Sequence, residues 1–258
     1  MEDILKKIVD NKRREVDAMM PHGLPAATLP FHRSKRSMSM ALAGSPTGII
    51  AEFKRRSPSK GDIHKEAMIQ DVIPAYTEAG ASACSILTDT PYFGGALTDL
   101  AAARQLTDLP ILRKDFIVSE FQIQEAAIYG ADAILLIAAV LTREEVARLS
   151  RYAHEYGLEV LLELHSADEL EHVGCDIDMV GINNRNLADF HTDPTLSLKL
   201  SKSLPDNIIK VAESGITSMD EVTRLRDAGF SGFLIGERFM MHDDPGKALL
   251  EFLNSKNI

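Results

Sequence analysis

The sequence predicts an α/β protein, a (β/α)8 barrel with an N-terminal helical extension. Eight short β-rich runs recur along the chain, and stretches with helical spacing separate them. Alternating strands and helices with short connections imply a parallel sheet, and eight such units imply a closed barrel. The length of 258 residues fits this fold. An open doubly wound sheet is the alternative, but no GxGxxG motif follows an early strand.

The first 45 residues precede the first predicted strand. We expect one domain over 1–258, of which 1–45 is the extension. Its apolar residues recur at helical spacing: Ile4, Leu5, Ile8, Val9, Val16, Met19 and Met20. The pattern predicts an amphipathic helix that packs onto the barrel. A separate domain or a partner-binding helix is the alternative.

The predicted strands are runs rich in β-branched and other apolar residues. They span 48–54, 82–88, 110–114, 132–138, 159–164, 178–183, 209–214 and 232–236. Four of the segments between them carry helix signals, at 119–130, 142–157, 166–174 and 218–229. Each begins with Ser or Thr, has Gln or Glu three residues later and ends in Gly, which is the capping-box pattern with a C′ glycine. Pro74 is predicted to lie near the start of a helix that runs to Gly80, where a missing N–H is tolerated.

Composition excludes several functional classes. The chain is 45% hydrophobic and 26% charged, with a formal net charge of -10. An acidic chain without a basic stripe argues against partners such as nucleic acid or an anionic membrane. The N-terminal segment is too charged for a signal peptide, and the longest apolar run, 133–141, is too short to span a membrane. We therefore expect a cytoplasmic protein, monomeric or weakly self-associating.

Neither a disulfide framework nor a metal site is predicted. The two cysteines, Cys84 and Cys175, have no CxxC-type spacing, and Cys84 is expected to be a small core residue. His154, His165 and His172 have no ligand-like partners nearby in the sequence. We expect no metal and no cofactor.

Charged and polar residues end five of the predicted strands. They are Glu52 and Lys54 on the first, Lys114 on the third, Glu163 on the fifth, Asn183 with Arg185 on the sixth, and Glu213 with Ser214 on the seventh. Glu52 and Lys54 are two residues apart and so point to one face of their strand. Burying such charges is costly unless they are paired or used, and barrel active sites lie at the C-terminal strand ends. The convergence favours a catalytic site over separate structural ion pairs.

Six segments also carry a family resemblance. IIAEFKRRSPSKG (49–61), ILRKDFIV (111–118), LLELH (161–165), GINNRNL (181–187), VAESGI (211–216) and FLIGERFM (233–240) together resemble indole-3-glycerol phosphate synthase. The segments occur in order along the barrel, and the helical extension is similar in placement. The resemblance implies a carboxy-lyase of tryptophan biosynthesis that closes the pyrrole ring of indole. Its substrate would be a small phosphorylated molecule, 1-(2-carboxyphenylamino)-1-deoxyribulose 5-phosphate.

The resemblance also implies residue roles. Ring closure, loss of CO₂ and loss of water need proton donors and a base. Lys114 would be the acid for condensation, and Lys54 would contact the substrate carboxylate and is a candidate acid for dehydration. Glu52 would be the base, Glu163 an electrostatic partner, and Asn183 and Arg185 would orient polar groups of the substrate. The predicted catalytic residues are Glu52, Lys54, Lys114, Glu163, Asn183 and Ser214.

The substrate-binding residues implied by the resemblance are Ser57, Phe93, Phe116, Arg185, Glu213, Gly215, Gly236 and Glu237. Phe93 and Phe116 would contact the anthranilate ring, with ordinary barrel packing as the alternative. The phosphate is expected at the loops after strands seven and eight, reached by Ser57 from the first loop. Glu237 stands where small hydroxyl residues are frequent in this family. A carboxylate beside a phosphate is unfavourable, so the Glu237 side chain is expected to point away and only its backbone N–H to bind.

Two other functions remain open from the sequence. A lysine at a barrel strand end can be the nucleophile of a Schiff-base aldolase, which borohydride trapping would reveal. A non-catalytic barrel that binds a phosphorylated metabolite would show binding without turnover.

Overall fold

Eight parallel strands close into a barrel in the structure, a computed structural model that describes residues 4–24, 36–174, 176–186 and 191–255. They are β1 (Ile49–Phe53), β2 (Ala83–Leu87), β3 (Ile111–Lys114), β4 (Ala133–Ile137), β5 (Glu159–Leu164), β6 (Met179–Asn183), β7 (Ile209–Glu213) and β8 (Gly232–Ile235). Each strand pairs with the next in sequence, and β8 pairs with β1. Every predicted strand contains one of them, so the predicted (β/α)8 barrel is confirmed.

Helices surround the barrel and extend it at the N-terminus. They are α1 (Ile4–Met19), α2 (Met38–Ala43), α3 (Ile69–Ala79), α4 (Thr90–Phe93), α5 (Leu97–Leu106), α6 (Glu120–Tyr129), α7 (Arg143–Glu155), α8 (Thr195–Leu200), α9 (Met219–Asp227), α10 (Glu237–Met240) and α11 (Pro245–Asn254). Short 3₁₀ helices occupy Met20–His22, Ala167–Gly174 and Ser201–Ser203. The loop after β1 folds into a small antiparallel ladder of Arg56–Ser57 with Gly61–Asp62. Across these described ranges, no helix has the length and apolar character needed to cross a membrane.

The four predicted capping boxes show two different hydrogen-bond patterns. At α7 the box is complete, with Thr142 and Glu145 each accepting a backbone N–H of the other. At the other three positions the Gln or Glu side chain accepts the N–H of the residue before the Ser, namely Val118, His165 and Thr217. The side chains therefore tie the end of the preceding loop to the helix start. The segment predicted as a helix at 166–174 is a 3₁₀ helix.

Pro74 does not lie at a helix start, contrary to the prediction. Helix α3 begins at Ile69, so Pro74 is in its interior. An interior proline removes one helical hydrogen bond and crowds the preceding turn, at a cost of about 3 kcal/mol. Burial of Ile69, Val72, Ile73 and Tyr76 on the same helix offsets that cost. Tertiary packing thus overrides the local preference.

The apolar core has two shells. The inner shell fills the barrel with side chains such as Ile50, Leu112, Leu135, Leu161 and Val211. The outer shell lies between the strands and the surrounding helices, and it includes the buried Cys84 expected there. The predicted core role of Cys84 is therefore confirmed, whereas Cys175 lies outside the described residues.

The N-terminal extension covers both ends of the barrel. Ile8 and Val9 of α1 pack into the inner shell near the C-terminal strand ends, as the apolar pattern predicted. Met19 and Met20 are exposed instead and lie where α1 ends. Helix α2 closes the opposite end with buried Met38 and Leu42. Residues 1–3 and 25–35 of the predicted extension lie outside the described residues.

Candidate active site

A cavity of about 300 Å³ opens at the C-terminal end of the barrel. All fourteen residues singled out from the sequence line it: Glu52, Lys54, Ser57, Phe93, Lys114, Phe116, Glu163, Asn183, Arg185, Glu213, Ser214, Gly215, Gly236 and Glu237. They come together because parallel strands of a barrel end at one rim. The volume is at the lower end of the range for small-molecule sites.

Lys114 lies among carboxylates inside this cavity. Its Nζ is 3.0 Å from Oε2 of Glu163 and 3.8 Å from Oε2 of Glu213. Burial disfavours the charged lysine, but the carboxylates of Glu163, Glu213 and Glu52 outweigh it, so the pKa of Lys114 is raised. Burial likewise opposes ionisation of Glu163, yet Lys114 and His165 hold the pKa of this carboxyl well below its ordinary value. The pKa of Glu213 is raised by burial and by the adjacent Glu163.

Glu52 and Lys54 form the second charged pair of the cavity. Lys54 Nζ lies 2.8 Å from Oε1 of Glu52, whose side chain is 5% exposed. Gly236 makes this position possible, because a Cβ there would lie 2.4 Å from Glu52 Oε1. A side chain at position 236 would therefore displace the carboxylate.

Aromatic and aliphatic side chains form one wall, which we call the aromatic pocket. Phe93 ends α4, Phe116 follows β3, and their ring centroids are 6.1 Å apart. Ile4, Leu5 and Ile8 of α1 line the same cavity. The N-terminal extension thus contributes directly to the site.

Arg185 crosses the mouth of the cavity. Its guanidinium lies 3.1 Å from Oε2 of Glu237 and donates to the Ser59 hydroxyl in the loop after β1 at 3.2 Å. Glu237 Oε1 is also 3.7 Å from Lys60 Nζ. Burial raises the pKa of Glu237, but the hydrogen bond and charge of Arg185 outweigh it, so the pKa is lowered. The Glu237 side chain is therefore an anion held by two cations.

The chain takes an unusual path after β7. Ser214 has φ 64° and Gly215 has φ 75°, and Ser214 is the non-glycine residue with positive φ in the described chain. Such backbone strain clusters at ligand-binding positions, because consecutive N–H groups then point toward one spot. Asn184 fixes the turn by donating its side-chain amide to the Ser214 carbonyl at 3.0 Å.

Lys12 was not singled out from the sequence. Its Nζ lies 3.0 Å from Asp89 and 3.1 Å from Asp115, next to Lys114 in the chain. Burial opposes its charge, but Asp115 and Asp89 raise its pKa. One signal could have found it: Lys12 follows Ile8 by four residues and precedes Val16 by four, so it lies on the apolar stripe of α1.

His165 was also missed as part of the site. Its Nε2 is 3.1 Å from Oε1 of Glu163, and Nδ1 is 3.8 Å from Oε2 of Glu169. Burial lowers its pKa, but Glu163 and Glu169 more than compensate and raise it to about 9. The signal was its position two residues after Glu163, directly after the end of β5.

The arrangement brings proton donors and carboxylates around one desolvated space. Two lysines, three buried glutamates and an amide face the cavity, with an aromatic wall on one side. Such a set can perform general acid–base chemistry on a small molecule. In the part of the chain that the structure describes, no three His, Cys, Asp or Glu side chains cluster as a metal ion would require.

Comparison with known proteins gives a consistent family. The family profile described as indole-3-glycerol phosphate synthase matches residues 5–252. The indole-3-glycerol phosphate synthase of Bacteroides thetaiotaomicron is 52% identical over 263 residues, covering 99% of each chain. That of Koribacter versatilis is 42% identical over 262 residues, covering 98% of this chain and 100% of the relative.

Solved structures agree on the fold. KGPDC from Streptococcus mutans superposes with a TM-score of 0.61 at 14% identity, covering 80% of this chain and 95% of the other. A variant of the tryptophan synthase alpha-subunit from Pyrococcus furiosus gives a TM-score of 0.59 at 13% identity, covering 80% of this chain and 96% of the other. At these identities the likeness concerns the barrel alone. The match of family and sequence over nearly the whole length shows that this chain belongs to the indole-3-glycerol phosphate synthase family, the lyases that close the indole ring in tryptophan biosynthesis.

Proposed function

We propose that the protein converts 1-(2-carboxyphenylamino)-1-deoxyribulose 5-phosphate to indole-3-glycerol phosphate, CO₂ and water, by general acid–base catalysis. The observation that carries the proposal is the cluster of two lysines and three glutamates around one cavity of a chain in this family. The reaction forms a bond between an aromatic carbon and the ketone carbon, releases the aryl carboxylate as CO₂ and expels a hydroxyl as water.

Lys114 is the proposed acid of the condensation. Negative charge grows on the ketone oxygen as the new bond forms, and an ammonium close to that oxygen stabilises it. Glu163, at 3.0 Å from Lys114 Nζ, keeps the lysine protonated before the substrate arrives. The raised pKa also argues against a Schiff-base aldolase, because a nucleophilic lysine must be neutral.

Lys54 and Glu52 are the proposed pair for the later steps. Lys54 binds the substrate carboxylate and donates the proton that lets the hydroxyl leave as water, and Glu52 removes the final proton from the ring. Lys54 Nζ and Glu52 Oε1 are 2.8 Å apart, which is short enough for a proton to pass directly between them. Asn183 and Glu213, which face each other in the ladder of β6 and β7, hold the hydroxyl groups of the substrate chain.

The phosphate is proposed to bind between the loops after β7 and β8. Ser57, Ser214, Gly215 and Gly236 face that part of the cavity, and Arg185 crosses its mouth. Glu237 contributes its backbone N–H, while its carboxylate stays with Arg185 and Lys60. Phe93 and Phe116 hold the anthranilate ring at the opposite side.

A direct assay tests the function. Purified protein is mixed with the substrate, and formation of the indole product is followed by its fluorescence, which the protein does not mask because it contains no tryptophan. We expect turnover without an added cofactor. Binding without product would instead indicate the non-catalytic barrel, and inactivation by borohydride with substrate would indicate the aldolase. A cytoplasmic location and a monomeric or weakly associating state stay predictions.

A further inference from the structure

A buried lysine from the N-terminal extension joins two aspartates at the edge of the cavity. Lys12 of α1 is 5% exposed, Asp89 is fully buried and Asp115 is 3% exposed. The Lys12 Nζ lies 3.0 Å from Asp89 Oδ2 and 3.1 Å from Asp115 Oδ1. It also lies 3.0 Å from Glu15, one turn along the same helix.

Asp89 connects this lysine to Phe93. Its Oδ1 accepts the Tyr92 N–H at 2.9 Å and thereby caps α4, the short helix that ends at Phe93. In the described part of the chain, Lys12 is the cation that forms an ion pair with Asp89. A fully buried carboxylate deprived of its counter-charge must take up a proton or move toward water. Movement of Asp89 would carry α4, and with it Phe93, out of place.

Asp115 connects the same lysine to Phe116. Its Oδ1 accepts the Phe116 N–H at 2.8 Å, while Oδ2 accepts the Thr88 hydroxyl at 2.5 Å and faces Arg113 at 3.1 Å. Asp115 keeps Arg113 when Lys12 is absent, so we expect Phe116 to be disturbed less than Phe93. The two aromatic rings that face the cavity therefore depend on one ammonium, which comes from outside the barrel.

We propose that Lys12 is a positioning residue for the aromatic part of the substrate: through Asp89 and Asp115 it holds Phe93 and Phe116 in the aromatic pocket. The proposal rests on the proposed function, because the aromatic pocket is there assigned to the anthranilate ring. The described ion pairs of Lys12 run to Glu15, Asp89 and Asp115, and none of these three residues lies in the phosphate loops, so we expect its effect to be selective for one end of the substrate.

The test compares two probes that occupy opposite ends of the cavity. Anthranilate binding is titrated through the fluorescence of the ligand, and inorganic phosphate is measured as a competitive inhibitor of turnover. For Lys12→Met we expect the Kd of anthranilate to rise about tenfold, the size of one lost aromatic ring contact. The Ki of phosphate should stay within about twofold, because distant sites act independently.

A matched control lies on the same helix. Val16 is 3% exposed on α1 and its side chain is apolar, so Val16→Ala removes packing from the same helix without removing a charge. We expect it to lower the free energy of unfolding while the Kd of anthranilate stays within about twofold. If Lys12→Met does not fold, Lys12→Gln replaces it, with a smaller rise in the same Kd.

Several results would overturn the proposal. They are an unchanged anthranilate Kd in the folded Lys12 variant, equal weakening of both probes, or equal weakening of anthranilate binding by Val16→Ala. The wild-type protein separates this proposal from the proposed function. If the wild type neither binds anthranilate nor turns over the substrate, both fail, whereas a competent wild type with an unaffected Lys12 variant removes only the role of Lys12.

Discussion

At the scale of single residues, Lys114 takes its charge state from three carboxylates rather than from water. Burial alone would favour the neutral amine, but Glu163, Glu213 and Glu52 raise the pKa of Lys114. A protonated lysine is ready to bond to a developing alkoxide, and no solvent reorganisation is needed at that moment. The same carboxylates would be left with buried, unpaired charge if the lysine were removed.

Replacing Lys114 tests its proposed role. Lys114→Met should keep the fold and substrate binding through the phosphate loops, and lower kcat by roughly 10² to 10⁴, the range for a positioned general acid. Lys114→Arg should recover little, because a guanidinium has too high a pKa for proton transfer and a bulkier fork. Steady-state kinetics and circular dichroism on both variants are the measurements. A near-native kcat for Lys114→Met would move the acid role to Lys54.

His165 links the site to the pH dependence of stability. Its pKa is raised from 6.5 to about 9 by Glu163 and Glu169, against the effect of burial. A raised folded-state pKa stabilises the protein fully below the unfolded value of 6.5, and this contribution is lost as the pH rises through about 9.

His165→Gln should therefore remove part of the pH dependence of unfolding. In the wild type we expect the free energy of unfolding to fall between about pH 6 and about pH 10 by on the order of 2–3 kcal/mol more than in the variant. Urea unfolding of both proteins at the two pH values measures the difference. Equal pH slopes in the two proteins would show that folding does not raise the pKa of His165.

At the scale of elements, the turns after β7 and β8 are built for close approach to a ligand. Ser214 and Gly215 both have positive φ, and Gly236 leaves space that Glu52 fills from the other side. Rigid backbone turns of this kind bind anions through N–H groups that need no rearrangement. The aromatic pocket lines the same cavity but comes from α4 and the segment after β3, so the two ends of a substrate would be held by different elements.

A dephosphorylated substrate tests the proposed role of these turns. Removing the phosphate should lower kcat/KM by at least about 10²-fold, because binding energy from a remote group also orients the reacting atoms. Comparable kcat/KM values for the two substrates, measured in the same fluorescence assay, would mean that the turns do not bind the phosphate. Inorganic phosphate added to the dephosphorylated substrate serves as a control for specific occupancy.

At the scale of the whole molecule, the C-terminal end of the barrel holds the cavity and the N-terminal end is closed by packing. The half-buried Lys114 and the buried Glu163, Glu213 and Glu52 lie at the C-terminal end, around the cavity. The N-terminal end is closed by α2, whose Met38 and Leu42 complete the inner shell. Glu159 fixes this helix by accepting hydrogen bonds from the Met38 and Ser39 N–H groups at 2.7 and 2.9 Å and from the Ser37 and Ser39 hydroxyls at 2.6 and 2.7 Å.

Glu159→Gln should therefore separate stability from activity. An amide has one acceptor oxygen and no charge, so we expect the free energy of unfolding to fall by about 1–3 kcal/mol. The kcat and KM should stay within about twofold, since the site is at the other end of the barrel. Urea unfolding and kinetics are compared with Glu144→Gln, an exposed position on α7 that should change stability by less than about 0.5 kcal/mol. A change in kcat as large as that in Lys114→Met would contradict the separation.

Much of this protein could be predicted from the sequence, because the rules involved are local. Apolar runs located all eight strands, helical spacing and cap signals located α1, α3, α6, α7 and α9, and strand alternation placed Glu52 and Lys54 on one face. Once the barrel is known, every strand end points to the same rim, so the fourteen residues had to share one cavity. Their individual roles stay predictions. Pro74 shows the limit of local rules, since packing of α3 overrode them.

The tertiary structure alone decided the features that depend on distances between remote segments. Lys12 meets Asp89 and Asp115 only because α1 packs over the strand ends, and Glu159 meets α2 only because that helix packs against the opposite end of the barrel. Glu237 pairs with Arg185 from another loop, which settles the direction of its side chain. The sign of the Lys114 pKa shift was open for the same reason. Burial and three carboxylates act on it in opposite directions, and Coulomb energies follow distances in space that a linear sequence does not contain.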